Sequence, residues 1–285
     1  MISSVFGPEI ELVKNLKVVA MTLLMAAPIV AFAQDEQHPA ISSKYLLDVG
    51  VFFPEKTVNF GAGVRVPGNG GIDFGSEFGL DKTDDLFAID LTWRFGEKWS
   101  LAAQHFRASG GRQAVLEEDI EWNNVVFGAG SSVEAGSKFS VYRLFAGRSF
   151  GNDERSDYGV GAGLHWLEVS ASISGNIFVN NNVAFTREAV SAAAPLPNIG
   201  AWYYYSFSPR WAFKARGDWF SASIDEYDGS LVNLQVAINY AWFRNGGIGL
   251  AYNYLEFDAG VDNSTWQGNV DLVYEGPFAF VSIYW

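Results

Sequence analysis

Single alternation of apolar and polar residues runs through most of this chain, the period of a strand whose two faces meet different surroundings. It is clearest at 203–221, YYYSFSPRWAFKARGDWFS, where two alternating runs meet at a polar turn. From 211 to 219, Trp211, Phe213, Ala215, Gly217 and Trp219 take one face and Ala212, Lys214, Arg216 and Asp218 the other. One face is apolar with an aromatic at each end, and the opposite face holds three charges. A soluble sheet with one wet side alternates in the same way. The solvent of the apolar face is therefore decided by how the pattern repeats and how the chain begins and ends.

At 44–53, Tyr45, Leu47, Val49, Val51 and Phe53 oppose Lys44, Leu46, Asp48, Gly50 and Phe52; at 86–95, Phe87, Ile89, Leu91, Trp93 and Phe95 oppose Leu86, Ala88, Asp90, Thr92 and Arg94. Each run has about ten residues, enough for a tilted strand to cross a bilayer. A slip of one residue would turn Asp90 and Arg94 toward lipid, at roughly 2–4 kcal/mol for a cation at the midplane, so the register is well specified. Runs at 99–107 and 139–150 alternate less cleanly and leave the faces of His105 and Arg143 unassigned. At 158–167, Gly159, Gly161, Gly163 and His165 share the inner face, a glycine stripe with room for long side chains from neighbouring strands. Further runs lie at 199–207, 211–219, 232–242, 248–254 and 277–285, the last extending upstream through 271–274. The pattern predicts an all-β fold, a transmembrane antiparallel up-and-down β-barrel of about ten strands, within a range of roughly eight to twelve. Twelve strands would need an extra hairpin from 57–66 and 71–80.

The connections sort by length. Those at 96–98, 151–157, 208–210 and 244–246 are short and flanked by aromatics, as periplasmic turns beside an interfacial girdle are. Those at 54–84, 108–138 and 168–198 are long, with intermediate ones at 221–230 and 256–269, and are expected outside, leaving both termini in the periplasm. The N-terminus agrees with export. Lys14 and Lys17 precede an apolar run of roughly 13 residues ending at Ala31, Phe32 and Ala33, too short for a spanning helix and ordered like a secretory signal. The division is a signal peptide at 1–33 and one barrel domain at 34–285; a translation start at Val13 would make the signal more compact. The 285 residues include no cysteine and carry a net charge of −13. That charge disfavours nucleic acid as a partner.

With these features the mature region as a whole resembles the outer-membrane β-barrels of Gram-negative bacteria. The sharpest match is the C-terminus, where Ala279, Val281, Ile283 and the terminal Trp285 alternate as in the signal read by barrel-assembly machinery. In that family phenylalanine is commoner at the end, and an aromatic is commoner where Ile283 stands. The stretches TDDLFAIDLTWRFGEKW and GLHWLE are similar to uncharacterised small, porin-like barrels. The resemblance implies the cell outer membrane as location, and outer-membrane lipids, lipopolysaccharide and the assembly machinery as partners. It leaves the oligomeric state open.

Candidate chemistry lies on the inner face. Asp90, Arg94, His165, Lys214, Arg216 and Asp218, with Asn233, Gln235, Asn239 and Asn253, are expected to line the lumen. They form either a filling of ion pairs and hydrogen bonds or a selective pore; ten strands fall nearer the filled end of the size range. Carboxylates gather in the outer loops at Asp81, Asp84 and Asp85, at Glu117, Glu118, Asp119 and Glu121, and at Asp225, Glu226 and Asp228. Such clusters are either sites for divalent cations or solvated loops, and the spacing of Asp225, Glu226 and Asp228 lacks the full calcium-loop pattern. No metal or cofactor is expected. The histidines are His38 in the N-terminal tail, His105 and His165. An omptin-like protease would need an Asp and His pair facing an Asp pair such as Asp84 and Asp85. A lipid A deacylase-like site would need His165 beside Glu168, yet residues three apart on a strand face opposite sides. The expected function is therefore non-catalytic, a narrow porin-like channel for small solutes or an envelope-structural protein. The alternatives are surface-loop binding or adhesion, and an outer-membrane hydrolase acting on lipid A or peptides.

Overall fold

The alternating runs form strands, and the strands close into a ring. The computed structural model describes residues 37–63, 86–116, 119–122, 125–152, 155–179, 182–224, 227–262 and 267–285. Its strands are β1 (Tyr45–Phe52), β2 (Glu55–Gly63), β3 (Leu86–Phe95), β4 (Trp99–Val115), β5 (Ile120–Trp122), β6 (Val125–Phe127), β7 (Ser132–Asn152), β8 (Ser156–Val179), β9 (Asn182–Ser206), β10 (Trp211–Ile224), β11 (Tyr227–Phe243), β12 (Gly246–Asp262) and β13 (Gln267–Tyr284). One helical turn, α1 (Pro39–Ser42), precedes them. Antiparallel neighbours follow the order β1-β3-β4-β7-β8-β9-β10-β11-β12-β13, and β13 pairs back onto β1, while β5 and β6 form a separate hairpin.

β1 and β2 share one place in the wall. β1 pairs with β13 from Leu46↔Tyr284 to Phe52↔Phe278, and β2 pairs with the same strand from Glu55↔Glu275 to Gly63↔Gln267. Pro54 has no N–H to give the ladder and interrupts the two. Opposite the break Gly276 takes φ 153°, and a Cβ there would lie 2.4 Å from the Phe53 carbonyl oxygen. The result is a closed ten-stranded antiparallel barrel, as expected. The extra hairpin considered at 57–66 and 71–80 is corrected in its first half, since 55–63 continues the wall of β1. Residues 71–80 and the signal segment 1–33 lie outside the described residues.

The long connections are another correction. Residues 108–138 and 168–198 are largely strand: β4 and β7 stay paired to Val115↔Ser132, and β8 and β9 to Val179↔Asn182. β8 and β9 have 24 and 25 residues, and about ten suffice to cross a bilayer, so more than half of each stands outside it. Beyond the membrane the outer face no longer has to be apolar. The period-two signal fades there although the backbone ladder goes on.

Outward side chains make an apolar band between two aromatic girdles. Trp99, Phe150, Tyr158, Phe207, Trp211, Trp242 and Trp285 are exposed near the short turns, Tyr142, Trp166, Trp219 and Tyr252 are exposed toward the other end, and Leu144, Val160, Leu164, Val236, Ile248 and Leu250 are exposed between them. At the closure Tyr45 stacks on Trp285, ring centroids 5.2 Å apart, and on Trp93 at 6.2 Å. Ala279 and Trp285 are exposed and Val281 and Ile283 half-buried on this outer face, while Phe278, Phe280, Ser282 and Tyr284 turn inward and are buried. No helix among the described residues is long and apolar enough to cross a membrane.

Candidate functional site: a layered barrel interior

The interior is built in layers from the end with the short turns. α1 lies inside the mouth, where Ala40 packs with Leu46, Ala241 and Tyr284. His38 caps it: Ala40 N–H donates to His38 Nδ1 at 3.0 Å, and the ring stands edge-on to Tyr284 at 6.0 Å. Arg94 reaches down from β3 and donates to the Ala40 and Ser43 carbonyls at 2.6 and 2.9 Å. The N-terminal tail that holds His38 is thus docked, because its small apolar residues fill a mouth whose wall donors satisfy its carbonyls. Burial, and behind it the Lys214 ammonium, push the His38 imidazole down to about 3.

Above α1 comes a layer of ion pairs. Arg94 Nε meets Asp157 at 3.4 Å, Arg143 Nε meets Asp218 at 2.6 Å, Arg216 Nη1 meets Asp90 at 2.8 Å, and Lys214 pairs with Asp48. Four cations therefore face four carboxylates, and each side chain has found an opposite charge, as burial of charge requires. Amides and hydroxyls complete the set. Asp218 also accepts from Asn233 at 3.3 Å; Asn233 Nδ2 stands 3.1 Å from His165 Nε2, and His165 Nδ1 3.1 Å from Asn198 Oδ1. Gln235 donates to Asn253 at 3.0 Å. Tyr284 donates to Asn239, Asn239 to Ser282, and Ser282 to Asp48. A cavity of about 30 Å³ lies beside Arg94, Arg143, Trp202 and Arg216, room for one or two waters.

The inner glycines make space for this layer. A Cβ at Gly159 would stand 2.5 Å from the Trp202 ring and one at Gly161 2.8 Å from the Phe145 ring, so two bulky side chains lie across the bare backbone of β8. Phe145 in turn lies under the Arg143 guanidinium, 4.5 Å from the ring centroid.

Toward the end far from α1 the lumen turns apolar, a layer that the ten polar candidates do not include. Phe52, Phe106, Phe139, Leu167, Leu196, Leu231, Leu255, Phe257, Leu272, Tyr274, Phe278 and Phe280 belong to one buried cluster across the barrel. Phe139 stacks on Tyr274 at 5.2 Å and Phe106 meets Phe139 edge-on at 6.1 Å. In the strand extensions beyond the apolar band Leu116, Phe127, Val133, Ala135 and Ile173 are buried as well.

All ten candidate lumen residues sit in or beside the ion-pair layer. Sequence reasoning missed Asp48, Arg143 and Asp157 as their partners. Asp48 and Arg143 stand in alternating runs, but which strands the ring sets across the lumen from β1 and β7 is not a local signal, and Asp157 falls at the end of the short 151–157 connection. His105 lies on the outer face, stacked on Tyr142 with centroids 4.3 Å apart. His165 is fully buried inside, whereas Glu168 is exposed and accepts from Trp166 Nε1 at 3.0 Å, so the two are on opposite sides of the wall. Asp84 and Asp85, with Asp81, Glu117, Glu118, Asp225 and Glu226, lie outside the described residues. Asp119 accepts from Ala129 N–H at 2.7 Å. Among the described residues no three His, Cys, Asp or Glu side chains are placed to hold a metal ion.

One acidic pair stands on the extension. Asp258 faces Asp271 across β12 and β13, and hydrogen bonding to it, then burial, then the neighbouring carboxylates push Asp258 up to about 6. A carboxyl raised in the folded state contributes stability that is full below its unfolded value near 3.9 and is lost as pH climbs through about 6. Asp271→Asn is therefore expected to stabilise the extension at pH 7 and to leave it nearly unchanged at pH 4, read as amide exchange protection of β12 and β13; equal protection at both pH values would count against the pairing.

A closed ring whose outer side is an apolar band between aromatic girdles is suited by one solvent, a lipid bilayer, and the fold is that of a transmembrane β-barrel of the kind found in outer membranes. No protein-family model and no curated protein matches the sequence. Among solved structures it is similar to the outer membrane protease OmpT of Escherichia coli, at 9% identity and a TM-score of 0.55, over 86% of this chain and 97% of that one. That likeness is one of fold. Ail of Yersinia pestis aligns at 10% identity and a TM-score of 0.32, over 85% of this chain and 97% of that one. The toluene transporter TbuX of Ralstonia pickettii aligns at 10% identity and 0.35, over 87% and 91%.

Proposed function

We propose that this is a lumen-filled barrel that works without catalysis, as an envelope-structural protein whose long strand extensions offer a surface for interaction. The observation that carries this reading is the apolar layer around Phe106, Phe139 and Tyr274. An ion on its way through would have to leave water and enter packed side chains, at a cost far above its thermal energy. The ion-pair layer points the same way. A selective pore presents uncompensated charge of one sign, whereas here each of the four cations of the layer has its carboxylate. Neither His105, turned to the outside of the wall, nor His165, buried against Asn198 and Asn233, has the access a hydrolase would need.

The test is conductance of refolded 34–285 in planar bilayers, with heat-modifiable gel mobility as the control for folding. The expected result is a folded and silent barrel. Discrete steps that change selectivity when Lys214 and Arg216 are neutralised would replace this reading with the narrow channel.

A further inference from the structure

The outer face of β4, β7 and β8 carries a group of side chains that neither the interior nor ring closure uses. His105, Tyr142 and Trp166 stand side by side in one row of the ladder. The rings of His105 and Tyr142 are 15° from parallel, and His105 Nδ1 is 2.9 Å from the Val141 carbonyl oxygen. The next outward row holds Arg107 and Glu168 on either side of Ser140, and the one above it holds Lys138 between Ser109 and Ser170. Arg107, Lys138 and Glu168 are all exposed.

Height gives these residues their meaning. Trp99 belongs to the periplasmic girdle, and with about 3.3 Å per residue and a tilt of about 40° Arg107 stands roughly 20 Å above it and the Lys138 row roughly 25 Å. That is the outer edge of an apolar band about 25 Å tall. Two cations thus sit where the acyl chains of the outer leaflet end, over a platform of three flat rings. The opposite sector has the reverse character: Glu256, Asp258, Asp271 and Glu275 stand on β12 and β13, two strands that carry no lysine or arginine. An anionic headgroup is drawn to one side of the barrel and repelled by the other.

We infer that the β4–β7–β8 sector binds a phosphorylated glycolipid of the outer leaflet. Arg107 and Lys138 take the phosphate, the exposed Glu168 carboxylate accepts sugar hydroxyls, and Trp166 and Tyr142 lie along the boundary between sugar and acyl chains, where amphipathic rings are favoured. The inference goes beyond the proposed function and does not depend on whether the lumen conducts.

The test uses mature 34–285 refolded in phosphatidylcholine vesicles containing diphosphorylated lipid A, dephosphorylated lipid A or phosphatidylglycerol, with lipid retention read by native mass spectrometry. Diphosphorylated lipid A is expected to be retained in preference to both others, less so as ionic strength rises because exposed charges are screened. Retention should fall about tenfold in R107A/K138A, a loss of ~1.4 kcal/mol, and persist in R107K/K138R. Gel mobility reports folding. If the double variant does not fold, R107Q alone should show an intermediate loss. Equal retention of phosphatidylglycerol, or unchanged retention in folded R107A/K138A or R107Q, overturns the inference.

Discussion

Asp218→Ala is expected to lower the stability of the folded barrel by about 3–5 kcal/mol, the usual cost of removing one partner of a buried ion pair. Asp218 takes Nε and Nη2 of Arg143 at 2.6 and 2.8 Å and Nδ2 of Asn233 at 3.3 Å, and stands 3.9 Å from His165. Without it the guanidinium remains buried over Phe145 with its charge uncompensated. Removing both charges is a different matter: Arg143→Met with Asp218→Leu should recover most of the loss, since well-packed apolar residues often replace a buried pair at little cost. Urea unfolding of the refolded protein in vesicles reads both variants. A loss under about 1 kcal/mol for Asp218→Ala would mean that the layer is hydrated and tolerant, and would reopen the case for a conducting lumen.

The second large effect is expected at His38 on acidification. Its imidazole is held neutral to about 3 in the docked turn and is free to take a proton near 6.5 once released. The released state therefore binds more protons between those two values, and docking weakens as pH falls through that window, by about 1.4 kcal/mol or tenfold per pH unit. Protonation at Nδ1 also removes the acceptor that caps Ala40 N–H. Because the chain has no cysteine, Ala40→Cys supplies a single reporter thiol. Its labelling rate, taken relative to the same reporter in a His38→Asn background at each pH, should climb between pH 7 and pH 5. Asparagine keeps a capping oxygen without titrating in this range. A flat ratio would show that α1 stays docked whatever the charge on His38.

The ring was legible where lipid imposes a rule. At 86–95 and 211–219 the bilayer demands an apolar outer face, so the alternation of Phe87 to Phe95 and Trp211 to Trp219 reports strand, register and facing together. The extensions of β8 and β9 answer to no such rule, and their Ser, Ala and Asn positions gave no reason to continue the strands. Inside the barrel the sequence could name the face but not the neighbours. Lys214 and Asp48 are 166 positions apart, and their pairing follows from which strands the closed ring sets opposite one another. Phe52, Phe278 and Phe280 alternate as faithfully as Asp90 and Arg94 do, yet an inward phenylalanine is visible as an apolar layer only once strands from the whole circumference supply Phe106, Phe139 and Tyr274 to the same level. α1 escaped notice for another reason: four residues, PAIS, are too few to show a helical period.

The seam between β13 and β1 has a consequence for when the molecule can come into being. Ser282 and Asp48 are 234 positions apart, and the last strand must serve both β1 and β2 before any edge disappears. Non-local pairings of this separation are the slow ones in folding. Until β13 is in place β12 and β1 remain open margins, so the ring cannot close stepwise from its first strands, and the unpaired edges stay liable to join other chains until the final pairing is made.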